Sequence, residues 1–192
     1  MDQLATLEFA LNHLREVVAS LDDSQMDTVS NCEPWTVRRL ASHALNNQLL
    51  WAGVVTGEHS VSPEDTMGAV SHEGDLAAFA NGATGRALAL WRTEGLLEGL
   101  HMTPMGELPG SVVILFPTID ALAHAWDISA SVGNAIEFEP EAIPTVSAVV
   151  VATCTDGARE MGLIRPVTEP PADATDTERL MALAGRTISR GA

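Results

Sequence analysis

Ser111-Val112-Val113-Ile114-Leu115-Phe116-Pro117-Thr118-Ile119-Asp120-Ala121-Leu122-Ala123-His124-Ala125-Trp126-Asp127 is apolar at almost every helical angle. Val112, Ile114, Leu115, Phe116, Ile119, Leu122 and Trp126 leave no broad face for solvent, so this helix must be enclosed by others. It is expected to run from about Ser111 to Val132, with Gly133-Asn134 as its stop signal. Asp120, His124, Asp127 and Ser131 nevertheless share one arc of about 60° on a helical wheel. Pro117 removes a hydrogen bond to Val113, so the helix either kinks there or begins near Phe116 with Pro117 in its first turn. Both options leave Asp120 and His124 on one continuous stretch, one turn apart on the same face.

The partners for such a helix lie on either side in sequence. Leu4, Leu7, Leu11, Leu14, Val18 and Leu21 recur at three and four residues, which predicts an amphipathic helix of about five turns. A second helix is predicted from an N-cap at Thr36 to about Thr56, with Gly57 just past its end. Glu58 to Gly74 reads as a long connection. A third helix spans roughly Asp75 to Leu97, weakened by Gly82, Gly85 and Gly95. His101 to Gly110 reads as a loop or tight hairpin. A fifth helix is predicted from near Pro140 to about Glu160, and a short helical piece around Thr177 to Ala184 follows a proline-rich tail. Strand-like alternation is scarce. The fold class is all-α: a four-helix bundle with long inter-helix loops and a short C-terminal extension. The expected division is a metal-binding helical bundle over residues 1–165 and an extension over 166–192 packed on it.

The chain has 192 residues, enough to bury a core without disulfide staples. Its formal net charge of -16 argues against nucleic acid as a partner, because phosphates would be repelled. The longest apolar runs, near Val112–Phe116 and Ala148–Ala152, are too short to cross a bilayer. No signal peptide precedes the first amphipathic pattern. Two cysteines, Cys32 and Cys154, make no disulfide framework. The expectation is a cytoplasmic protein with reduced thiols and no membrane partner.

On the second helix, Val37, Leu40, Ala44, Trp51 and Val55 share one side, and His43 and Asn47 fall within the same arc. His43, Asp120 and His124 thus place two imidazoles and a carboxylate on two helices, facing inward. Burying a lone carboxylate costs several kcal/mol unless partners offset it. A divalent cation held by these three side chains would do so and leave coordination positions open. An Arg partner, or an Asp–His hydrogen bond with no metal, would also do so. Imidazole and carboxylate suit zinc first, and also nickel, iron, cobalt or manganese.

Other residues have weaker claims. Asp127 is either a carboxylate supporting a ligand or a salt-bridge partner for Arg38 or Arg39. Arg86 and Arg92 could receive a carboxylate substrate, or be exposed helix charges. Cys32 lies near a helix start, where a thiol pKa can fall, or is a small buried hydrophobe. Cys154, Trp35 and Trp126 read as packing. Of His13, His59, His72 and His101, none has a partner at ligand spacing. His101 is the best placed, beside a loop that could overhang the site.

Three elements together resemble the DinB-like superfamily, in its actinobacterial branch of mycothiol-dependent maleylpyruvate isomerase-like proteins. They are Cys32-Glu33-Pro34-Trp35-Thr36-Val37-Arg38 followed by His43, the loop Thr103-Pro104-Met105-Gly106-Glu107-Leu108-Pro109-Gly110, and Asp120-x-x-x-His124-Ala125-Trp126-Asp127. The tail from Pro170-Pro171-Ala172-Asp173 to Gly185-Arg186 looks like one metal-binding subgroup of that branch. The resemblance implies a four-helix bundle holding zinc or another divalent ion through His43, Asp120 and His124. The isomerase itself has Glu at the position of Asp120, and a second domain after the bundle.

Site and resemblance together imply a metal-dependent enzyme using a low-molecular-weight thiol, mycothiol-like, for thiol transfer or isomerisation of a small electrophilic substrate. A metal-bound thiol is deprotonated near neutral pH, and the chain offers no convincing nucleophile of its own. Asn47, Asp127, Arg38, Arg86 and His101 are the candidates for supporting a ligand or meeting substrate. The alternatives are a non-catalytic metal- or small-molecule-binding module, for sensing or sequestration, and a metal-dependent hydrolase. A homodimer is the expectation by analogy.

Overall fold

The computed structural model describes residues 1–58, 60–66 and 70–188. Helix α1 (Gln3–Ala19) starts where the Asp2 side chain accepts from the Ala5 N–H. Its Leu7, Leu11, Leu14 and Val18 are buried, as the spacing requires. A 3-10 turn closed by Asp22 and Gln25 separates it from the next element. Helix α2 (Val37–Thr56) is capped by the Thr36 hydroxyl, which accepts from Arg39 N–H, and ends at Gly57 with φ 77. Both ends fall where the sequence predicts. The long connection holds a short helix the sequence did not announce, α3 (Pro63–Thr66). Helix α4 (Leu76–Trp91) follows.

The third predicted helix therefore stops at Trp91 rather than Leu97. Gly95 turns the chain at φ 82, and the carbonyls beyond it serve a different element. Leu97 O accepts from Ser111 N–H and Gly99 O from Gly110 N–H. These bonds seat an antiparallel hairpin of β1 (Leu100–Thr103) and β2 (Gly106–Pro109), with His101 opposite Leu108 and Met102 opposite Glu107. Gly110 packs so closely on the Leu96 carbonyl that a Cβ there would lie 1.9 Å from its oxygen.

The fourth predicted helix is two: α5 (Gly110–Val113) and α6 (Leu115–Ser131). The break at Ile114 puts Pro117 in the first turn of α6, where its missing N–H costs nothing and its ring avoids the carbonyl of Val113. By length and apolarity alone, Gly110–Ser131 could cross a membrane; 72% of its most apolar stretch is buried inside the bundle. The fifth predicted helix is also split, into α7 (Ile143–Thr153) and α8 (Asp156–Glu160), because the Thr155 hydroxyl caps a new start. Pro144 in the first turn sets the beginning of α7. Helix α9 (Asp176–Leu183) opens with a capping box of Thr175 and Glu178.

Helices α1, α2, α4 and α6 form the bundle. Each of α1 and α2 lies against both α4 and α6, so α1 faces α2 across the diagonal. Helix α7 packs on α6 and α9 on α7. Met181 and Ala184 at the end of α9 are buried and belong to the same core. The neighbouring α2 and α6 carry the polar stripes, and their shared seam is where the site lies.

Candidate metal centre

His43 stands on α2, and Asp120 and His124 stand one turn apart on α6. His124 Nε2 lies 3.4 Å from Asp120 Oδ1. His43 Nε2 lies 3.8 Å from the same oxygen. The two rings are 5.1 Å apart and nearly perpendicular at 80°. One donor atom from each residue falls within 4.8 Å of the others. Bonds of 2.0–2.1 Å to a tetrahedral zinc would put its ligands about 3.3 Å apart. The donor set therefore fits a divalent ion in chemistry and in spacing.

Each imidazole is held from behind. His43 Nδ1–H donates to the backbone carbonyl of Thr66, at the end of α3. His124 Nδ1–H donates to Asp127 Oδ2 at 3.0 Å. With both Nδ1 atoms occupied, both Nε2 atoms turn toward Asp120. Asp120 in turn is held by Gln48, whose Nε2 donates to Oδ2 at 3.2 Å, leaving Oδ1 for the centre. This is the arrangement in which outer hydrogen bonds fix a ligand's tautomer and direction.

The electrostatics follow. Burial would raise the Asp120 pKa, but the charge and hydrogen bond of His124, then His43 and Asn47, hold it lowered. Burial lowers the His43 pKa, which Asp120 only partly offsets. For His124, burial is outweighed by Asp120, Asp127 and Cys32, and the pKa is raised well above its ordinary value. Burial would raise the Asp127 carboxyl, yet Arg186 and His124 keep it far below the usual carboxylate range. In the metal-free protein, the two carboxylates beside His124 thus favour its protonated form.

Asp127 is buried, and its cation is neither Arg38 nor Arg39. Arg38 donates to the His72 carbonyl at 3.0 Å. The Arg39 guanidinium lies over the Trp35 ring at 5.7 Å. The tail supplies the partner instead: Arg186 Nη2 donates to Asp127 Oδ2 at 3.0 Å, and its Nε reaches both oxygens at 3.3 Å. The Cys32 thiol also donates to Asp127, at 3.5 Å. Cys32, His124 and Asp127 form a second group with donor atoms within 4.8 Å. The Arg186 guanidinium already occupies that carboxylate, so the second group is a hydrogen-bonded network.

The remaining candidates divide. Asn47 faces Asp120. Trp35 lies against His43, with centroids 4.9 Å apart. Arg86 pairs with Glu58 at 3.3 Å on an exposed face. Arg92 pairs likewise with Glu8. His101 Nε2 bonds the Leu96 carbonyl at 2.7 Å and braces the hairpin. His13 sits beside Glu139 and His72 stacks on Phe79. His59 lies outside the described residues. Cys154 is buried, and burial raises its thiol pKa. Sequence reasoning missed Thr66, Gln48 and Arg186. Only Arg186 left a signal, as the Gly185-Arg186 pair after a short helix.

A profile described as the mycothiol maleylpyruvate isomerase N-terminal domain matches residues 7–129, a span that includes His43, Asp120 and His124. Two proteins of Mycobacterium tuberculosis strains, uncharacterized protein Rv0738 and uncharacterized protein MT0763, are each 26% identical over 193 residues, covering 98% of this chain and 100% of theirs. Among solved structures, the mycothiol-dependent maleylpyruvate isomerase aligns with a TM-score of 0.60 and 20% identity over 78% of this chain and 68% of that one. A histidine-to-alanine mutant of that enzyme gives 0.61 and 19% over the same shares. At those identities the structural likeness speaks for the fold, and the profile speaks for descent. The chain belongs to the mycothiol maleylpyruvate isomerase N-terminal domain family.

Proposed function

We propose that this chain is a metal-dependent enzyme that uses a low-molecular-weight thiol, mycothiol or a close analogue, to transform a small electrophile. The observation that carries this reading is the convergence of two Nε2 atoms on Asp120 Oδ1, with both Nδ1 atoms already engaged. A divalent ion there, zinc first among the candidates, would supply the Lewis acidity that favours the thiolate form of a thiol near neutral pH. His43, Asp120 and His124 would hold and orient that ion. Gln48 restrains the carboxylate so that one oxygen faces the centre. Asn47 and Trp35 border the cluster and would meet whatever binds beside it.

The thiol comes from solution in this reading, because the nearby protein thiol is committed elsewhere. Cys32 donates to Asp127, behind His124. The sulfur lone pair of the incoming thiolate forms a C–S bond to an activated alkene, and the π electrons move onto the adjoining carbonyl. Rotation and re-expulsion of the thiolate give isomerisation, with the thiol regenerated. Expulsion of a different leaving group gives thiol transfer.

The test is thiol consumption and product formation with mycothiol and a panel of cis-alkenoic acids, epoxides and alkyl halides, with and without a chelator. The expected result is thiol-dependent turnover that chelation abolishes. Turnover of esters or amides without thiol would replace the reading with a hydrolase. Metal uptake with no turnover of any kind would replace it with a non-catalytic binding module.

A further inference from the structure

Arg186 lies 59 residues from Asp127 in sequence and beyond the span that the family profile matches, residues 7–129. It is delivered to Asp127 by a tightly specified turn. Gly185 N–H bonds Ala182 O and Arg186 N–H bonds Met181 O, the paired closure of a helix end that needs a left-handed residue at Gly185. Gly185 has φ 84, and a Cβ on it would meet Arg165 O at 2.7 Å. Conformation and space both demand glycine there. The Thr168 hydroxyl donates to the Arg186 carbonyl, and Arg186 Nη1 donates to Ala184 O at 2.8 Å. Backbone and side chain are therefore fixed before the guanidinium reaches the site. Nε and Nη2 then grip a carboxylate that has no exposure to water.

We infer that Arg186 is a positioning residue of the metal centre, acting through Asp127 on His124. The inference rests on the proposed metal site. A metal on His124 Nε2 requires a neutral imidazole with its proton on Nδ1. Asp127 accepts that proton's hydrogen bond at 3.0 Å and so sets the direction of the ring. Arg186 grips the same carboxylate through Nε and Nη2, and this planar fork fixes where the oxygen that holds the ring lies. The C-terminal tail thus completes the centre without touching the metal. A tail that merely covers the bundle would give stability but would leave the metal affinity unchanged.

The experiment measures zinc affinity by competition with a chromophoric chelator, well below the melting temperature, for the full chain. Arg186→Gln is expected to bind zinc about 10–100-fold more weakly, as losses of outer hydrogen-bond partners do. Arg186→Lys keeps the charge without the fork and is expected to fall between. Thr175→Ala removes the α9 cap and should lower stability while leaving affinity alone. Nitrogen-15 NMR of the histidine rings gives a second readout: zinc-loaded wild type should show a His124 Nδ1–H protected from exchange with water, and in zinc-loaded Arg186→Gln that proton should exchange faster. Unchanged affinity and Nδ1–H exchange in Arg186→Gln, beside normal wild-type binding, would overturn this inference alone. A wild type that takes up no metal would overturn the proposed function and this inference with it.

Discussion

His124 is held between two carboxylates, and its protonation links the metal centre to pH. Its pKa in the folded, metal-free protein is raised. It therefore stabilises that form at pH below the unfolded-state value of about 6.5, and the contribution is lost as pH rises through the raised value. A metal needs the same Nε2 without its proton, so affinity should fall as pH falls. Zinc binding near neutral pH is expected to release a proton. Calorimetry in buffers of different ionisation enthalpy checks this, and a heat independent of the buffer would contradict it. Asp127 carries the opposite linkage. Its lowered pKa gives stability that is present above about pH 3.9 and lost as pH falls toward the folded value. Asp127→Asn should cost the metal-free protein about 3 kcal/mol, the lower end for breaking a buried ion pair, since Arg186 keeps 17% side-chain exposure. Urea unfolding measures it, and a loss near zero would deny the pair its role. Asp120 and His124 were legible because helical periodicity aligns them on α6, and His43 because it falls in the apolar arc of α2. Thr66, Gln48 and Arg186 were not, because each meets its partner through tertiary packing or a backbone carbonyl, which no spacing encodes.

Elements were most legible where local chemistry dictates their ends. Thr36 and Gly57 bound α2 as a cap pair should. The readings slipped where a distant element recruits the backbone. Carbonyls at Leu97 and Gly99 serve the hairpin and α5 rather than α4, so α4 ends at Trp91, more than a turn early. Thr155 reads as an ordinary helix-interior threonine, yet its hydroxyl starts α8. Gly110 is the hinge of this region. A methyl there would stand 1.9 Å from the Leu96 carbonyl oxygen, and backbone cannot retreat as a side chain does. Gly110→Ala is expected to cost about 3 kcal/mol, the upper end for overpacking, and to loosen the hairpin. Hydrogen exchange at Leu100–Pro109 with a thermal melt tests this. Wild-type protection and melting temperature in the variant would refute it.

At the scale of the whole molecule, the tail and the bundle share one core. Met181 and Ala184 are fully buried, and Arg186 neutralises a carboxylate inside the bundle. Deleting residues 166–192 should expose that core and take the Arg186 guanidinium from Asp127. The melting temperature is expected to fall by about 6–20 °C, given 3–5 kcal/mol for the broken pair and 2–4 °C per kcal/mol at this size. An unchanged melt would mean that the tail is ornament. The all-α bundle itself was legible from one enclosed helix and its amphipathic neighbours, while the order of packing around it was not. Everything functional turns on whether α2 and α6 share an ion. The most direct measurement is elemental analysis of the wild type beside His43→Ala, Asp120→Ala and His124→Ala, each dialysed against zinc and then against buffer. The account predicts about one ion per wild-type chain, as a three-ligand site holds, and loss of that ion in all three variants. Equal metal in wild type and variants, or none in any, would contradict it.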